Sequence, residues 1–281
     1  MPLHHSTFFS KRPSATRTGP AGSEDLKWVP TSSTLIYGSH DAVLVDSQLT
    51  TQAATDLTAW VVATGKNLTA IYITHAHGDH HFGTSTLLKK FPRAKVLATP
   101  EVASRMAKES SPERLEGLWK KLFPRQITES FASAEALPPT DEFELEGEKL
   151  LVVRLGHTDC DETTALWVPS IGLLVAGDSV YGNTHPYMGE SGTFAARREW
   201  MAALDKLAAL EPRIVIGGHS DPDSSFGPEA IGETKAYFEA FDRVAGESAT
   251  AEEIYERMME VYPSRLNPGS LWAGAVLVKP K

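Results

Sequence analysis

The chain has 281 residues, 41% of them apolar and 22% charged, which is enough to bury a core and too apolar for a mainly disordered chain. Asp and Glu outnumber Lys and Arg by 36 to 27, a net charge of −9 that disfavours a nucleic-acid surface, and no run reaches the roughly 20 apolar residues of a membrane span. The single cysteine, Cys160, excludes an intramolecular disulfide framework and a multi-cysteine zinc ribbon, so any metal must be held by imidazoles and carboxylates.

Residues 1–26 lack the apolar segment of a secretory signal and read as an irregular N-terminal arm. Their Arg, Ser and Thr content, with no acid before Glu24, is faintly like a mitochondrial transit peptide, yet the expectation is a cytoplasmic protein. One domain is expected over 27–281, closing with C-terminal helices. Thr34–Gly38 and Ala42–Asp46 read as a β-hairpin, and Thr50–Thr64 as a helix stopped before Gly65. Leu68–Ile73 is a buried strand that runs directly into Thr74-His-Ala-His-Gly-Asp-His-His81. A helix over Gly83–Lys90 and a strand over Ala94–Thr99 follow.

Pro100–Phe123 has helical spacing, with Trp119 and Phe123 expected to pack in the core. Pro124–Gly147 is polar and reads as irregular. Lys149–Leu155 is a strand ending at Gly156-His157, and Thr163–Val168 with Gly172–Ala176 makes a hairpin closed by Gly177-Asp178. Phe194–Leu210 is an amphipathic helix, Arg213–Ile216 a strand ending in Gly217-Gly-His219, and two helices over Pro228–Ala245 and Thr250–Val261 finish the body. The apolar segment Ser270–Leu277 can pack on that body or on a second copy, as in a homodimer. Strands mixing hairpins with helical crossovers imply α/β layers, helices outside mixed sheets.

The chemistry concentrates at strand ends. His75-Ala-His77-Gly-Asp79-His80 puts four candidate ligands in six residues, a density that packing does not explain. Gly78 is expected to allow the turn between the two pairs. His157, Asp178 and His219 each follow a glycine at a strand end. Imidazole suits zinc and iron, and carboxylate adds a harder ligand.

This ordered set, His-x-His-x-Asp-His, Gly-His, Gly-Asp and Gly-His, resembles the metallo-β-lactamase superfamily over about Thr34–Asp221. The resemblance implies an αββα sandwich of two mixed sheets with a dinuclear site at one edge. By residue match, His75, His77 and His157 would hold a first zinc, Asp79, His80 and His219 a second, and Asp178 would bridge them. Asp46 matches the family's carboxylate behind the His loop, where it would fix the tautomer of a ligand. An aspartate at position 178, not a cysteine, is similar to the glyoxalase II and lactonase branches. The chain departs from the common Gly-His-Thr-Pro-Gly-His by reading Gly156-His-Thr-Asp-Cys-Asp161.

The implied chemistry is hydrolysis of a small cyclic ester or amide, a lactonase- or lactamase-like and detoxifying activity, by a hydroxide shared between two zinc ions. Asp79 is a candidate proton carrier, Asp178 the bridge, and Tyr181 a candidate donor to the oxyanion. The loop after the bridge, Val180–Met188, offers Tyr181, His185 and Tyr187 to a small-molecule substrate. Thioester hydrolysis of glyoxalase II type and an iron-dependent redox reaction on the same fold are the alternatives, since the same ligands accept iron or manganese. His81 and Cys160 read as neighbours of the ligands, and His4, His5 and His40 as surface residues.

Overall fold

A computed structural model describes residues 2–13 and 28–279. In chain order the elements are β1 (His4–Pro13), β2 (Trp28–Tyr37), β3 (Asp41–Val45), α1 (Thr51–Ala63), β4 (Asn67–Tyr72), α2 (Gly78–His81), α3 (Thr84–Lys90) and β5 (Lys95–Ala98). Then come α4 (Pro100–Glu109), α5 (Pro112–Arg114), a π-helical turn (Leu115–Trp119), α6 (Lys120–Leu122), β6 (Glu135–Ala136), β7 (Glu142–Leu145) and β8 (Glu148–Gly156). The remainder is β9 (Thr163–Val168), β10 (Leu173–Gly182), α7 (Phe194–Ala208), β11 (Ile214–Ser220), α8 (Glu229–Glu247), α9 (Ala251–Val261) and α10 (Pro268–Val278).

The strands form a six-stranded sheet, β1-β2-β3-β4-β5-β6, and a five-stranded sheet, β11-β10-β9-β8-β7. Within the span expected as one domain, the described residues group into two compact units. The first holds those up to Ser10 with 31–154 and 164–175, and the second holds the rest. The irregular arm is corrected in part: His4–Pro13 is a strand at the edge of the larger sheet, and the rest of the arm, 14–26, lies outside the described residues. Among the described residues no helix is long and apolar enough to cross a membrane.

In the first unit β2 and β3 are the expected antiparallel hairpin, Thr34 facing Val45. The parallel neighbours β3, β4 and β5 are joined through α1 and through α2 and α3, so their C-terminal ends point the same way. Thr50 caps α1 by accepting from Ala53 N. The core under this sheet is aliphatic, with Leu35, Leu44, Leu57, Ile71, Ile73 and Leu87 essentially sealed from solvent. The stretch expected as one helix over Pro100–Phe123 is broken, because Ser110 ends α4 and Ser111 caps a new start at Pro112. Trp119 and Phe123 do pack in the core, in a cluster with Leu49, Phe82 and Ile127.

The segment expected to be irregular, 124–147, contains β6 and β7. At its end Glu146 reaches back to the β2–β3 turn, where its carboxylate accepts from the backbone N–H groups of Ser39, His40 and Asp41 at 2.6–2.8 Å. Those donors hold its carboxyl at about 2, below the ordinary 4.5. The resulting stability is complete above pH 4.5 and is lost as pH falls toward 2. Glu146→Gln is expected to flatten that acid limb of the unfolding curve, and an unchanged limb in acid titrations followed by circular dichroism would refute it.

The second unit is built on aromatic packing. Trp200 of α7 stacks obliquely on Phe238 of α8, ring centroids 4.5 Å apart, and its indole N–H donates to Ser179 O at 2.9 Å. That bond fixes the part of β10 beside Asp178. The apolar C-terminal segment forms α10, a helix the periodicity did not reveal, and it packs on α9 with Trp272 edge-on to Tyr255. β10 and β11 continue past their expected ends, so Asp178 and His219 sit inside strands and not in the loops after them. In β10 the strand continues through Gly177 in a left-handed conformation, φ +52°.

Candidate metal centre

The loop after β4 is anchored from two sides. Phe82, just past the His cluster, sits edge-on to Trp119 and Phe131 at 5.4 and 4.9 Å between centroids. Gly83 follows where a Cβ would lie 1.9 Å from Ser47 O, so only glycine permits this approach. Gly78 is not left-handed; a Cβ there would meet the Phe82 ring at 2.6 Å, so close approach is its role.

Asp46 leaves β3 with φ +61°, which aims its carboxylate at this loop. Oδ1 accepts from Thr74 N at 2.9 Å, and Oδ2 accepts from Thr74 Oγ1 at 2.9 Å and from His80 Nδ1 at 2.8 Å. A carboxylate only accepts, so Nδ1 of His80 carries its proton and Nε2 offers a lone pair. Thr74 Oγ1, having given its proton to Asp46, accepts from His75 Nδ1 at 3.0 Å. One carboxylate therefore sets the tautomers of two imidazoles. Asp46→Asn is expected to weaken metal binding roughly 10- to 100-fold in a chelator competition; an unshifted curve would remove Asp46 from this role.

In the second unit His219 Nδ1 donates to Pro30 O at 2.6 Å, which leaves Nε2 turned to Asp178 Oδ2 at 3.1 Å. Tyr181 is fully buried, and its hydroxyl donates to Asp178 Oδ2 at 2.9 Å. Burial first, and then the Asp178 charge, push that hydroxyl well above its ordinary value. Its one proton is thus spent on Asp178, and the expected oxyanion donor is corrected to a residue that positions Asp178.

Within the first unit the rings of His75 and His80 lie 4.1 Å apart between centroids, those of His75 and His77 5.1 Å apart, and Asp79 Oδ2 lies 3.9 Å from His80 Nε2. The second unit holds the other expected ligands: Asp178 beside His219, and His157, whose Nδ1 is 2.6 Å from Asp161 Oδ1 and Nε2 2.8 Å from Ser191 Oγ. Asp159, which sequence reasoning missed, is fully buried in the same unit with Thr158 Oγ1 donating to its Oδ1 at 2.9 Å. Imidazoles with carboxylates are a donor set that fits zinc, iron or manganese.

The expected substrate residues separate. His185 is corrected to a core residue, buried with Nδ1 3.0 Å from the Tyr237 hydroxyl, and burial followed by the nearby Arg265 takes its pKa down to about 3. Tyr187 is 36% exposed and open to solvent. His81 is buried and donates from Nε2 to Ala76 O at 3.2 Å, and burial lowers its pKa to about 3. Cys160 is buried.

The model of the metallo-beta-lactamase superfamily matches residues 26–219, more than half of the sequence. The chain belongs to that superfamily of metal-dependent hydrolases. Its fold of two mixed β-sheets with helices is shared with solved structures. A metallo-beta-lactamase family protein from Thermus thermophilus superposes with TM-score 0.62 at 22% identity, over 95% of this chain and 91% of that one. A metallo-beta-lactamase from Pontibacter korlensis gives 0.60 at 16% identity, over 85% and 95%. Hydroxyacylglutathione hydrolase from Actinobacillus pleuropneumoniae is 33% identical over 84 residues, 30% of this chain. That match spans 32% of the relative's length.

Proposed function

We propose that the chain is a zinc-dependent hydrolase that opens a small cyclic ester or amide, working in the cytoplasm with two metal ions. The observation that carries the reading is the tautomer control at His75 and His80, whose Nδ1 atoms are both held as donors so that Nε2 is the lone-pair nitrogen of each. Structural histidines have no need of a shared carboxylate that fixes two adjacent tautomers. Divalent metal at these residues would supply a Lewis acid and a source of hydroxide at neutral pH.

The chain's own residues do the rest. His75, His77, Asp79, His80, Asp178 and His219 orient the centre, Asp46 and Tyr181 hold three of those six in place, and Tyr187 is the exposed aromatic available to substrate. In the hydrolysis a water oxygen bonds to the carbonyl carbon, the ring C–O or C–N bond breaks, and one proton passes to the leaving atom. Asp79, whose Oδ2 lies 3.9 Å from His80 Nε2, is the carboxylate assigned to carry that proton. The product is an acid.

Thioester hydrolysis is the second reading, and the 84-residue similarity to hydroxyacylglutathione hydrolase is what favours it. Acid release would be titrated for the metal-loaded protein on lactones, lactams and thioesters, with chelated protein as control. Chelator-sensitive release on a lactone or lactam is the expected result. Release on thioesters alone selects the second reading, and no release by a protein that retains its metal refutes both.

A further inference from the structure

We infer that Gln48 is a positioning residue, the side chain that locks the segment after β3 against the His80 loop. The residues concerned all belong to the first unit, and only the consequence for metal rests on the metal-hydrolase reading above.

Gln48 is fully buried and stands at φ +74°, in the left-handed region that glycine adopts freely and a long side chain does not. A residue persists there only where its surroundings fix it. Here the side-chain amide supplies the fixing. Nε2 donates to Thr31 O at 3.2 Å and to Ser33 Oγ at 2.8 Å, both on β2. Oε1 accepts from Ser10 Oγ of β1. Thr31 O can only accept, so the NH2 group must face it, and the orientation of the amide is settled. Both amide protons and the amide oxygen are thus used on two neighbouring strands.

The main chain of the same segment grips the ligand loop. Gly83 N donates to Gln48 O at 2.9 Å, and Ser47 N donates to His80 O at 2.7 Å. Ser47 Oγ lies 2.7 Å from Thr84 Oγ1. Asp46, two residues before Gln48, accepts from His80 Nδ1 at 2.8 Å. His80 is therefore held at its ring by Asp46 and at its carbonyl by Ser47, and Gln48 fixes the backbone from which both reach. Glycine at position 48 would suit the left-handed conformation better but would leave the segment unpinned. Ser10 extends the lock to β1, a strand that precedes the span shared with the superfamily.

The test uses full-length Gln48→Gly, Ser10→Ala and Ser10→Thr. Metal-free protein is followed by amide hydrogen exchange at Ser47 and Gly83, whose N–H groups tie the two segments, with Ile73, which donates to Leu97 O, as the reference. Zinc affinity is measured by chelator competition. Gln48→Gly is expected to accelerate exchange at Ser47 and Gly83 at least tenfold more than at Ile73, and to weaken zinc binding by roughly tenfold or more. Ser10→Ala should move both readouts the same way by a smaller factor, and Ser10→Thr, which keeps the hydroxyl, should restore both. Equal acceleration at all three amides overturns the inference, because it marks a residue that only adds stability. Wild-type exchange in Gln48→Gly overturns it as well, and so does an unchanged zinc curve in a variant whose loop has been loosened. If Gln48→Gly does not fold, the two Ser10 variants decide by the same criteria. Wild-type protein that binds no zinc defeats the metal-hydrolase reading, and the exchange ratios alone then decide whether Gln48 holds the loop.

Discussion

Asp178→Ala is expected to lose one metal equivalent and to lower turnover on the best substrate of the panel by roughly 10³-fold or more, with the fold retained. Two observations combine here with the proposed bridging role. The Oδ2 of Asp178 lies 3.1 Å from His219 Nε2, and it accepts the Tyr181 hydroxyl at 2.9 Å. Removing the carboxylate therefore takes away a ligand, an anion beside His219 and the partner of a buried phenol. The phenol is a separate, structural cost of about 1–3 kcal/mol, which Tyr181→Phe in the same background would relieve. The double variant should thus recover stability without recovering turnover. A single variant that kept two metals and full activity would remove Asp178 from the centre.

The second large effect is on stability. Arg197 is buried and binds Asp242 through Nε and Nη2, both at 2.6 Å, with side-chain exposures of 4% and 11%. Burial lifts the Asp242 carboxyl above its ordinary value even with Arg197 beside it, so desolvation outweighs the attraction. Such a pair adds little net stability, but breaking it leaves a carboxylate stranded. Arg197→Met is expected to cost about 3 kcal/mol in urea unfolding, and Arg197→Met with Asp242→Leu to recover most of it. A loss below about 1 kcal/mol for the single variant would contradict this account. Because Arg197 also holds Ser191, the single variant should loosen the His157 contact too.

Local signals carried much of the chain. The strands that end at Val45 and Tyr72, the helix capped by Thr50 and the helix capped by Thr193 are short-range features set by apolar spacing and capping side chains. The His75–His80 loop was legible for the same reason: its donors are adjacent in sequence, and no packing rule explains their density. The edge strand β1, the short β7 and the apolar α10 were not legible, since an edge strand is defined by its neighbour and a uniformly apolar helix has no periodicity to read.

The residue types at the centre, and the choice of Asp over Cys at position 178, were determined by the sequence alone. Which of those residues point inward was decided only by the tertiary structure. His185 carries the right chemistry but is held in the core by the Tyr237 hydroxyl, and His157 is held by Asp161 and Ser191. A side chain's direction after a glycine turn depends on the partners that distant segments bring to it, and spacing along the chain contains no record of those partners.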